Sequence, residues 1–236
     1  MYSSYCAETD RFCYSLCSFN PFGEVKQVQY ANNCSLRGEP AVGIVTEEGV
    51  VLATEKKMMM KYAIGSTLKK LQQTGSYMAM TYSGLAPDFR VLSKLFHKMA
   101  CKYGIIHDNV MPVPSLMMAI SSTMQEFTQS SGVRPFGLAL LLGGWENEAG
   151  ILYHLDASGS QQCYKACAIG RYTNDRTSFL EQMYTANMTV EEAISLAIRS
   201  IQLYSTKSLL ANQIEVGVLD EDGLYRLSKK TVSKYL

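Results

Sequence analysis

Residues 19–31 read Phe19-Asn20-Pro21-Phe22-Gly23-Glu24-Val25-Lys26-Gln27-Val28-Gln29-Tyr30-Ala31. Pro21 fixes its own φ and biases Asn20 away from the helical region of the backbone. Gly23 can adopt a positive φ because it has no Cβ that would clash. Pro21 and Gly23 together therefore predict a turn.

An amphipathic helix is predicted directly after this turn. Val25, Val28 and Ala31 recur at helical spacing, and Tyr30 lies beside the apolar edge. Residues 1–18, in contrast, show no sustained period and are expected to form a tail that is ordered only by its contacts. The turn and the helix are therefore expected to anchor a mobile end to the folded part of the chain.

The remaining chain alternates between strand patterns and pairs of helix patterns. Strands are predicted at Ala41–Val45, Val50–Thr54, Leu68–Gln72, Tyr77–Tyr82, Gly137–Leu142, Gly150–Leu155, Gln162–Ile169, Ile214–Leu219 and Leu224–Leu227. Helices are predicted over residues 85–103 and 116–127, at Thr177–Tyr184, at Val190–Tyr204 behind a Thr189–Glu192 capping box, and at the C-terminus.

This order of elements predicts the fold class. Two sheets stacked face to face, each covered on its outside by one helix pair, bury every apolar face. We therefore predict an α+β fold, a four-layer αββα sandwich of two antiparallel sheets flanked by helix pairs. No linker rich in Pro, Gly or Ser divides the chain, so residues 19–236 are predicted to form a single domain behind the tail of residues 1–18.

Composition narrows the class of protein. The 236 residues include 22 basic and 21 acidic side chains, for a net charge of +1, which argues against binding to nucleic acid or membrane surfaces through bulk electrostatics. The longest apolar run is too short to span a bilayer, and the first twenty residues lack a secretory signal. We therefore expect an intracellular protein whose seven cysteines are reduced thiols.

No catalytic or metal motif stands out from the residues alone. The chain has three histidines, His97, His107 and His154, and a lone histidine is more often a surface or core residue than a catalyst. The spacing Cys163-x-x-x-Cys167 falls in a strand pattern, and no second pair or nearby histidine completes a metal site. We therefore predict neither a metal nor a cofactor.

Residues 19–31 resemble the signature of proteasome alpha-type subunits, whose usual form is Phe-Ser-Pro-x-Gly followed by Gln-Val/Ile-Glu-Tyr-Ala. The same family is resembled by the segments Gly49–Lys57, Tyr82–Leu92, Met124–Gln129 and Gly132–Gly137. The last two are most similar to the second of the eukaryotic alpha types, and the resemblance runs from about Phe12 to the C-terminus. The chain departs from the usual signature at Asn20, at Gln29 and at Phe12-Cys13-Tyr14, where most alpha types have Tyr-Asp-Arg.

The resemblance implies the fold of the N-terminal-nucleophile hydrolases but not their chemistry. In active members, a Thr, Ser or Cys becomes the first residue after cleavage behind a Gly, and its free amine serves as base. The position after Gly38 here holds Glu39-Pro40, and a glutamate cannot act as that hydroxyl or thiol. Glu55 and Lys70 fall near the acid and the lysine of active relatives. The implied protein is a catalytically silent subunit of a threonine-protease complex.

The resemblance further implies a structural and gating role in the 20S core particle. Seven different alpha types form each outer ring, and two such rings cap two beta rings that carry the proteolytic sites. The helix after the turn would line the pore-facing end of the ring, and residues 1–18 would lie across the entrance. The residues implied in this gate are Phe12, Tyr14, Pro21, Gly23 and Tyr30.

An activator pocket is implied as well. In the family, pockets between neighbouring alpha subunits accept the C-terminal tails of activators through a lysine and a Ser-Gly-Leu segment, which map here onto Lys70 and onto Gly84-Leu85. Lys70 would be a point charge for a terminal carboxylate, and Gly84 would let backbone approach closely. From the residues alone, a solvated charge at a strand end and a glycine that starts a helix are the simpler interpretation.

The implied partners are the other alpha subunits, the beta-ring subunits and the regulatory particle or other activators, with no nucleic acid and no membrane. The implied setting is ubiquitin-dependent and ubiquitin-independent protein degradation in the cytoplasm and nucleus.

Two alternatives stay open. One is an active N-terminal-nucleophile amidohydrolase, which is disfavoured by Glu39, and the other is a self-assembling ring of one subunit type.

Overall fold

Ten strands and six helices follow one another in residues 15–57, 62, 64, 65, 67–205 and 209–236, the part of the chain that the computed structural model describes. The strands are β1 (Ala41–Val45), β2 (Val50–Glu55), β3 (Gln72–Gly75), β4 (Met78–Gly84), β5 (Leu138–Glu146), β6 (Ala149–Leu155), β7 (Gln161–Cys163), β8 (Ala166–Ile169), β9 (Ile214–Asp220) and β10 (Gly223–Arg226). The helices are α1 (Lys26–Leu36), α2 (Ala86–His107), α3 (Val113–Gln129), α4 (Thr173–Met183), α5 (Val190–Gln202) and α6 (Lys229–Val232).

The strands form two antiparallel sheets of five strands each. Sheet A has the order β10-β9-β2-β1-β8, and sheet B has the order β3-β4-β5-β6-β7. Helices α4 and α5 pack on the outside of sheet A, and α2 and α3 pack on the outside of sheet B. The predicted four-layer αββα sandwich is confirmed.

The alternation of side chains along β2 explains why the layers hold together. Val50 and Leu52 belong to the apolar cluster between the sheets, whereas Val51 and Ala53 belong to the cluster under α5. Successive side chains of a strand point to opposite faces, so a strand buried on both faces reads as a continuous apolar run. All four residues are fully buried, and β2 therefore contributes to two cores at once.

Local signals set the starts of two long helices. Pro87 lies in the first turn of α2, where its missing N–H leaves no helical hydrogen bond unmade. Helix α5 begins with the predicted capping box: the Thr189 hydroxyl accepts from the main-chain N–H of Glu192, and the Glu192 carboxylate accepts from the N–H of Thr189. Among the described residues, no helix has the length and apolar character needed to cross a membrane.

The strand predicted at Leu68–Gln72 is wrong in position. β3 begins only at Gln72, where pairing with β4 starts. The main-chain N–H groups of Lys70 and Leu71 donate instead to the carboxylate of Glu215. The carboxylate of Glu215, which is distant in sequence, therefore accepts the main-chain hydrogen bonds that a neighbouring strand would accept in a sheet.

The single strand predicted at Gln162–Ile169 is two strands in different sheets. The main-chain N–H of Tyr164 still donates to β6 of sheet B, at Leu152, while the carbonyl of Lys165 accepts from Val45 of β1 in sheet A. The chain crosses between the sheets at these two residues. Burial also changes at the crossing, because β7 is exposed along its length and β8 is mostly buried.

Two helix boundaries also differ from the prediction. Helix α1 continues to Leu36, beyond the predicted end near Asn32-Asn33, and α4 begins at Thr173 instead of Thr177. The predicted tail of residues 1–18 lies mostly outside the described residues. The division into that tail and a single domain of residues 19–236 stays a prediction.

Candidate functional site

Four charged side chains converge where the strands of sheet A end. β1 pairs with β2 on one side and with β8 on the other, so the start of β1 lies between the ends of β2 and β8. Glu39 precedes β1, Glu55 ends β2, Arg171 follows β8, and Lys70 approaches from the segment before β3. We call these four residues the strand-end cluster. It includes the two residues that were predicted to correspond to the acid and lysine of active relatives.

The carboxylate of Glu39 is bound by two cations. The guanidinium of Arg171 donates to one oxygen, and Nζ of Lys57 lies 3.8 Å from the other. A carboxylate in this arrangement is a hydrogen-bond acceptor and has no hydroxyl or thiol with which to attack a carbonyl carbon. The residue predicted to correspond to the nucleophile of active relatives is therefore half of an ion pair.

Lys70 is a buried base, only 4% exposed. Its Nζ donates to the main-chain carbonyl of Glu39 at 3.2 Å and lies 5.2 Å from the centre of the Tyr82 ring. Burial lowers the pKa of Lys70 to about 8, although the nearby carboxylates of Glu39, Glu55 and Glu215 act in the opposite direction. A lysine with this pKa is partly neutral near pH 8 and can accept a proton.

The pKa of Glu55, the second carboxylate of the cluster, is raised, whereas that of Lys70 is lowered. Burial raises the pKa of Glu55, and repulsion from Glu39 adds to this effect, while Arg171 and Lys70 oppose it. The cluster thus holds a carboxyl group that protonates easily beside a lysine that deprotonates easily. Such groups perform acid–base catalysis only if a nucleophile or an activated water lies between them and a substrate.

Two hydroxyl groups near this end of the sheets donate hydrogen bonds to main-chain carbonyls. Ser83 donates to the carbonyl of Ser35 at 2.8 Å, and Thr54 donates to the carbonyl of Pro40 at 3.3 Å. There is no room for a side chain at residue 38, because a Cβ built on Gly38 would lie 2.3 Å from the Ser83 hydroxyl. The hydroxyl groups of Ser83 and Thr54 are therefore both engaged as donors.

Arg176 holds the loop after β8 in place and was missed by the sequence prediction. It is 2% exposed, and its guanidinium donates to the carbonyls of Arg171, Ser200 and Ile201. Burial lowers its pKa, and the Tyr204 ring lies 5.6 Å from the guanidinium carbon. No sequence signal marks this residue, because a charged side chain in a short amphipathic helix is usually solvated.

The predicted turn ahead of α1 is organised by Asn20. Its side-chain carbonyl accepts from the main-chain N–H groups of Phe22 and Glu24, and its amide donates to the Glu24 carboxylate at 3.2 Å. Gly23 adopts φ +78° and donates to the main-chain carbonyl of Asn20 at 2.9 Å. Asn20 is 7% exposed, so this turn is a closed hydrogen-bonded unit. An asparagine at the start of a Pro-containing turn is a usable sequence signal that the prediction did not use.

The predicted gate residues are only partly described. Pro21 and Gly23 form the turn, and Tyr30 is 48% exposed on α1. Phe12 and Tyr14 lie outside the described residues. Helix α1 buries Ala31 and Ser35 against β4 and β5, so its exposed side, which includes Tyr30, faces away from the sandwich. The gate role of these residues stays a prediction.

The residues of the predicted activator pocket lie around the segment 38–39. Lys70 contacts Glu39 from one side, and Gly84 lies so close to Gly38 that a Cβ on residue 38 would approach the Gly84 nitrogen to 2.2 Å. Gly84 adopts φ +119°, and Leu85 is 40% exposed. The interpretation of Lys70 as a solvated strand-end charge is wrong, because the side chain is buried. Its role toward an activator stays a prediction.

The cysteine pair of the sequence analysis does not come together as a site. Cys163 lies on β7 of sheet B and is exposed, whereas Cys167 lies on β8 of sheet A and is buried. Burial raises the pKa of Cys167 to about 12. No group of three or more His, Cys, Asp or Glu side chains that could hold a metal ion occurs in the described part of the chain.

Comparison with known proteins connects these features to a family. A family model described as "Proteasome subunit" matches residues 36–219. The chain is 35% identical to proteasome subunit alpha type-2 of Drosophila melanogaster over 228 residues, which cover 97% of each chain. It is 35% identical to proteasome subunit alpha type-2 of Caenorhabditis elegans over 96% of this chain and 98% of that protein. It is 39% identical to a probable proteasome subunit alpha type-2 of Schizosaccharomyces pombe over 89% of this chain and 86% of that protein.

Proposed function

The chain belongs to the proteasome subunit family, and on this basis we propose that it is a non-catalytic, structural and gating subunit of the outer alpha ring of the 20S proteasome. The similarity to alpha type-2 subunits over nearly the whole chain supports the place in the alpha ring. In this role the subunit supports ubiquitin-dependent and ubiquitin-independent protein degradation in the cytoplasm and nucleus. Its partners are the other alpha subunits of a seven-membered ring and the subunits of the beta ring.

The environment of Glu39 is the observation that supports the proposal of a non-catalytic subunit. Its carboxylate is paired with Arg171 and Lys57, and its carbonyl accepts from the lysine that would otherwise serve the nucleophile. N-terminal-nucleophile chemistry needs a hydroxyl or thiol on the residue whose own amine acts as base. A glutamate at this position supplies neither group.

The gating part of the proposal rests on the turn at residues 20–24. Hydrogen bonds from and to the Asn20 side chain fix the direction in which the chain leaves α1 toward its N-terminal tail. Helix α1 is tied to the sandwich by the Ser83 hydroxyl and by the N–H of Ala157, which donates to Asn32. A tail that starts from such a fixed point loses less conformational freedom when it is held across a pore than a tail that starts from a mobile point.

The activator-docking part rests on Lys70 and Gly84. Both residues flank the segment 38–39, and the pocket in question would be completed by a neighbouring alpha subunit. Engagement of Lys70 by an activator's terminal carboxylate would add a charge-assisted hydrogen bond to a cation that is already desolvated. The regulatory particle and other activators are the partners proposed for this pocket.

Assembly is the first test of the proposal. The full chain carrying a C-terminal tag is expressed in its own cells and purified under native conditions, and the co-purifying chains are identified by mass spectrometry. We expect six further alpha types together with beta subunits. A ring composed of this chain alone would contradict the proposal and would support the self-assembling alternative.

Gate function is tested on the assembled particle. Deletion of residues 1–11 should raise hydrolysis of a fluorogenic peptide in the absence of any activator. A variant in which the same residues are replaced by a Gly/Ser segment of equal length controls for tail length. Particles with the native set of chains and unchanged peptide hydrolysis would show that this tail is not a main part of the gate.

The alternative of an active amidohydrolase makes a different prediction about the chain itself. That activity requires cleavage that exposes a Thr, Ser or Cys as the first residue. Intact-mass measurement of the purified subunit should give a mass with residues 1–38 retained. A mass that corresponds to cleavage directly before a Thr, Ser or Cys would overturn catalytic silence.

A further inference from the structure

A cavity of about 760 Å³ lies between α2 and the turn that joins β3 to β4, and it shares no residue with the strand-end cluster. This volume is within the range of cavities that bind small molecules. Its lining includes residues of the β3–β4 turn, of the C-terminal half of α2 and of the connection to α3. The chemically active side chains among them are Thr74, His97, Cys101 and Asp108.

His97 and Cys101 form a contact pair on the cavity side of α2. They are four residues apart, a spacing that places two side chains next to each other on one face of a helix. Nε2 of His97 lies 3.7 Å from Sγ of Cys101, which is within hydrogen-bonding distance for sulfur. Cys101 is exposed, so its thiol is accessible from the cavity.

A third group orients the imidazole. Nδ1 of His97 lies 3.1 Å from the main-chain carbonyl oxygen of Thr74 on β3. A carbonyl oxygen only accepts hydrogen bonds, so Nδ1 carries the proton in this contact. In the neutral imidazole, Nε2 is then the acceptor, and it faces the Cys101 thiol.

The arrangement of thiol, imidazole and orienting carbonyl is typical of an activated nucleophile. Such sites place a nucleophile within hydrogen-bonding distance of a base whose second nitrogen is held by another group. We propose that Cys101 is a reactive thiol, activated by His97, that is modified by uncharged α,β-unsaturated carbonyl compounds bound in this cavity. The inference does not depend on the proposed function, because it can be tested on the chain alone.

The proposed reaction is a conjugate addition that needs no oxidant. Nε2 of His97 accepts the Cys101 proton while sulfur forms a bond to the β-carbon of the alkene. The π electron pair of the alkene shifts to give the enolate, and the proton held by His97 is then returned to the α-carbon. The net change is addition of S–H across C=C, with a new C–S bond and a neutral imidazole at the end.

The lining of the cavity indicates the class of electrophile. The only formal charge that the described lining residues contribute is the Asp108 carboxylate, which disfavours an anionic ligand. Met78, Ala100 and Val110 provide apolar surface for the body of the molecule.

The test measures the labelling rate of each cysteine in the full-length chain. N-ethylmaleimide, an uncharged α,β-unsaturated carbonyl compound, is added at limiting concentration, and the adduct at each of the seven cysteines is followed by peptide mapping. Cys163 is the internal control, because it is also exposed but forms no hydrogen bond with a histidine among the described residues. We expect Cys101 to be labelled about tenfold faster than Cys163, or more.

A His97→Gln variant separates an active imidazole from a merely structural one. Glutamine can still donate to the Thr74 carbonyl but lacks a base, so the rate at Cys101 should fall to that at Cys163 while the thermal unfolding midpoint is retained. If the ratio of the two rates is unchanged in His97→Gln, or if Cys101 is no faster than Cys163 in the native chain, the proposal is overturned.

A second probe tests the class of electrophile. A maleimide that carries a carboxylate should lose most of the preference for Cys101 over Cys163 that N-ethylmaleimide shows. Equal or greater preference for the carboxylate-bearing maleimide would overturn the assignment of an uncharged ligand.

Discussion

The ammonium nitrogen of Lys70 lies 3.2 Å from the main-chain carbonyl oxygen of Glu39, the residue predicted to correspond to the nucleophile of active relatives. The lysine therefore contacts the backbone of this residue and not a catalytic side chain. Three carboxylates act on it, yet burial dominates and its pKa falls to about 8. Lys70 thereby joins the segment before β3 to the segment before β1.

Replacement of Lys70 by methionine should change how the stability of the isolated chain depends on pH. Between pH 8 and 10.5, Lys70 is deprotonated in the folded state but still protonated in the unfolded state, so the unfolded state binds more protons and native stability rises with pH. The native chain should gain on the order of 3 kcal/mol over this window relative to Lys70→Met. Urea unfolding at several pH values measures the difference.

The neighbouring Lys69 provides the matched control, because it is exposed. Lys69→Met controls for the loss of one positive charge and one long side chain at this place in the chain. A stability difference between the native chain and Lys70→Met that stays flat over the same pH window would mean that the Lys70 pKa is not lowered in the folded chain.

Asp88 should stabilise the start of α2 at neutral pH. It forms a bidentate ion pair with Arg134 at 2.8 and 2.9 Å and accepts from the main-chain N–H of Gly137 at 3.1 Å. Burial by itself raises the pKa of Asp88, but the hydrogen bonds from Arg134 and Gly137 outweigh it and the net pKa is lowered. Asp88→Asn should cost about 2 kcal/mol of unfolding free energy.

The sign of the pH dependence follows from the lowered pKa of Asp88. Its contribution is present above the unfolded-state pKa and is lost as the pH falls through the folded-state pKa, so the native chain and Asp88→Asn should converge in stability in acid. Asp175→Asn is the control, since Asp175 is also in the first turn of a helix but is exposed. Equal losses for both variants at pH 7 would refute a specific role of the ion pair.

Gly84 should tolerate no side chain. It adopts φ +119°, and a Cβ there would lie 2.3 Å from the carbonyl oxygen of Gly137. Gly84→Ala should therefore combine backbone strain with a clash against backbone and cost several kcal/mol, roughly 3 or more, measured by denaturant unfolding.

A second glycine, Gly132, allows the cost of the steric clash to be separated from the cost of backbone strain. Gly132 has φ +87° but no atom within 4 Å of a built Cβ, so Gly132→Ala should cost only about 1 kcal/mol. A Gly84→Ala variant as stable as Gly132→Ala would show that β4 and β5 can separate at this point without penalty.

Asn20 should determine the rigidity of the turn ahead of α1. Asn20→Ala removes an acceptor for two main-chain N–H groups and a donor to Glu24, so hydrogen exchange at Phe22 and Glu24 should accelerate at least tenfold. Asn109→Ala is the control, because that exposed side chain accepts only from the adjacent Val110. Unchanged protection in Asn20→Ala would mean that Pro21 and Gly23 suffice to hold the turn.

The layers of the fold could be predicted because local patterns and the final contacts agree. The apolar runs of β1 and β2 and the capping box at Thr189 depend on residues close in sequence, and the structure confirms them. The segment before β3 could not be predicted in this way. Its hydrogen bonds go to Glu215, which lies about 145 residues away in the chain, and only the completed sandwich brings the two together.

The site was predictable only in part for the same physical reason. Glu39, Glu55 and Lys70 could be singled out because of the resemblance to the family. Arg171 and Arg176 could not, because their partners are main-chain carbonyls and a carboxylate that become neighbours when β8 joins β1. Long-range pairing, and not local propensity, decides which charge neutralises Glu39.

The crossing of the chain at Tyr164 and Lys165 has a mechanical consequence. The edge strand of one sheet continues within two residues into the edge strand of the other, so the two layers cannot part along this side without breaking main-chain pairing in one of them. Any breathing of the sandwich must therefore begin at the opposite edges, formed by β3 and β10. The two sheets should lose their protection from hydrogen exchange in a single cooperative step along the crossing side, and independently only at those far edges.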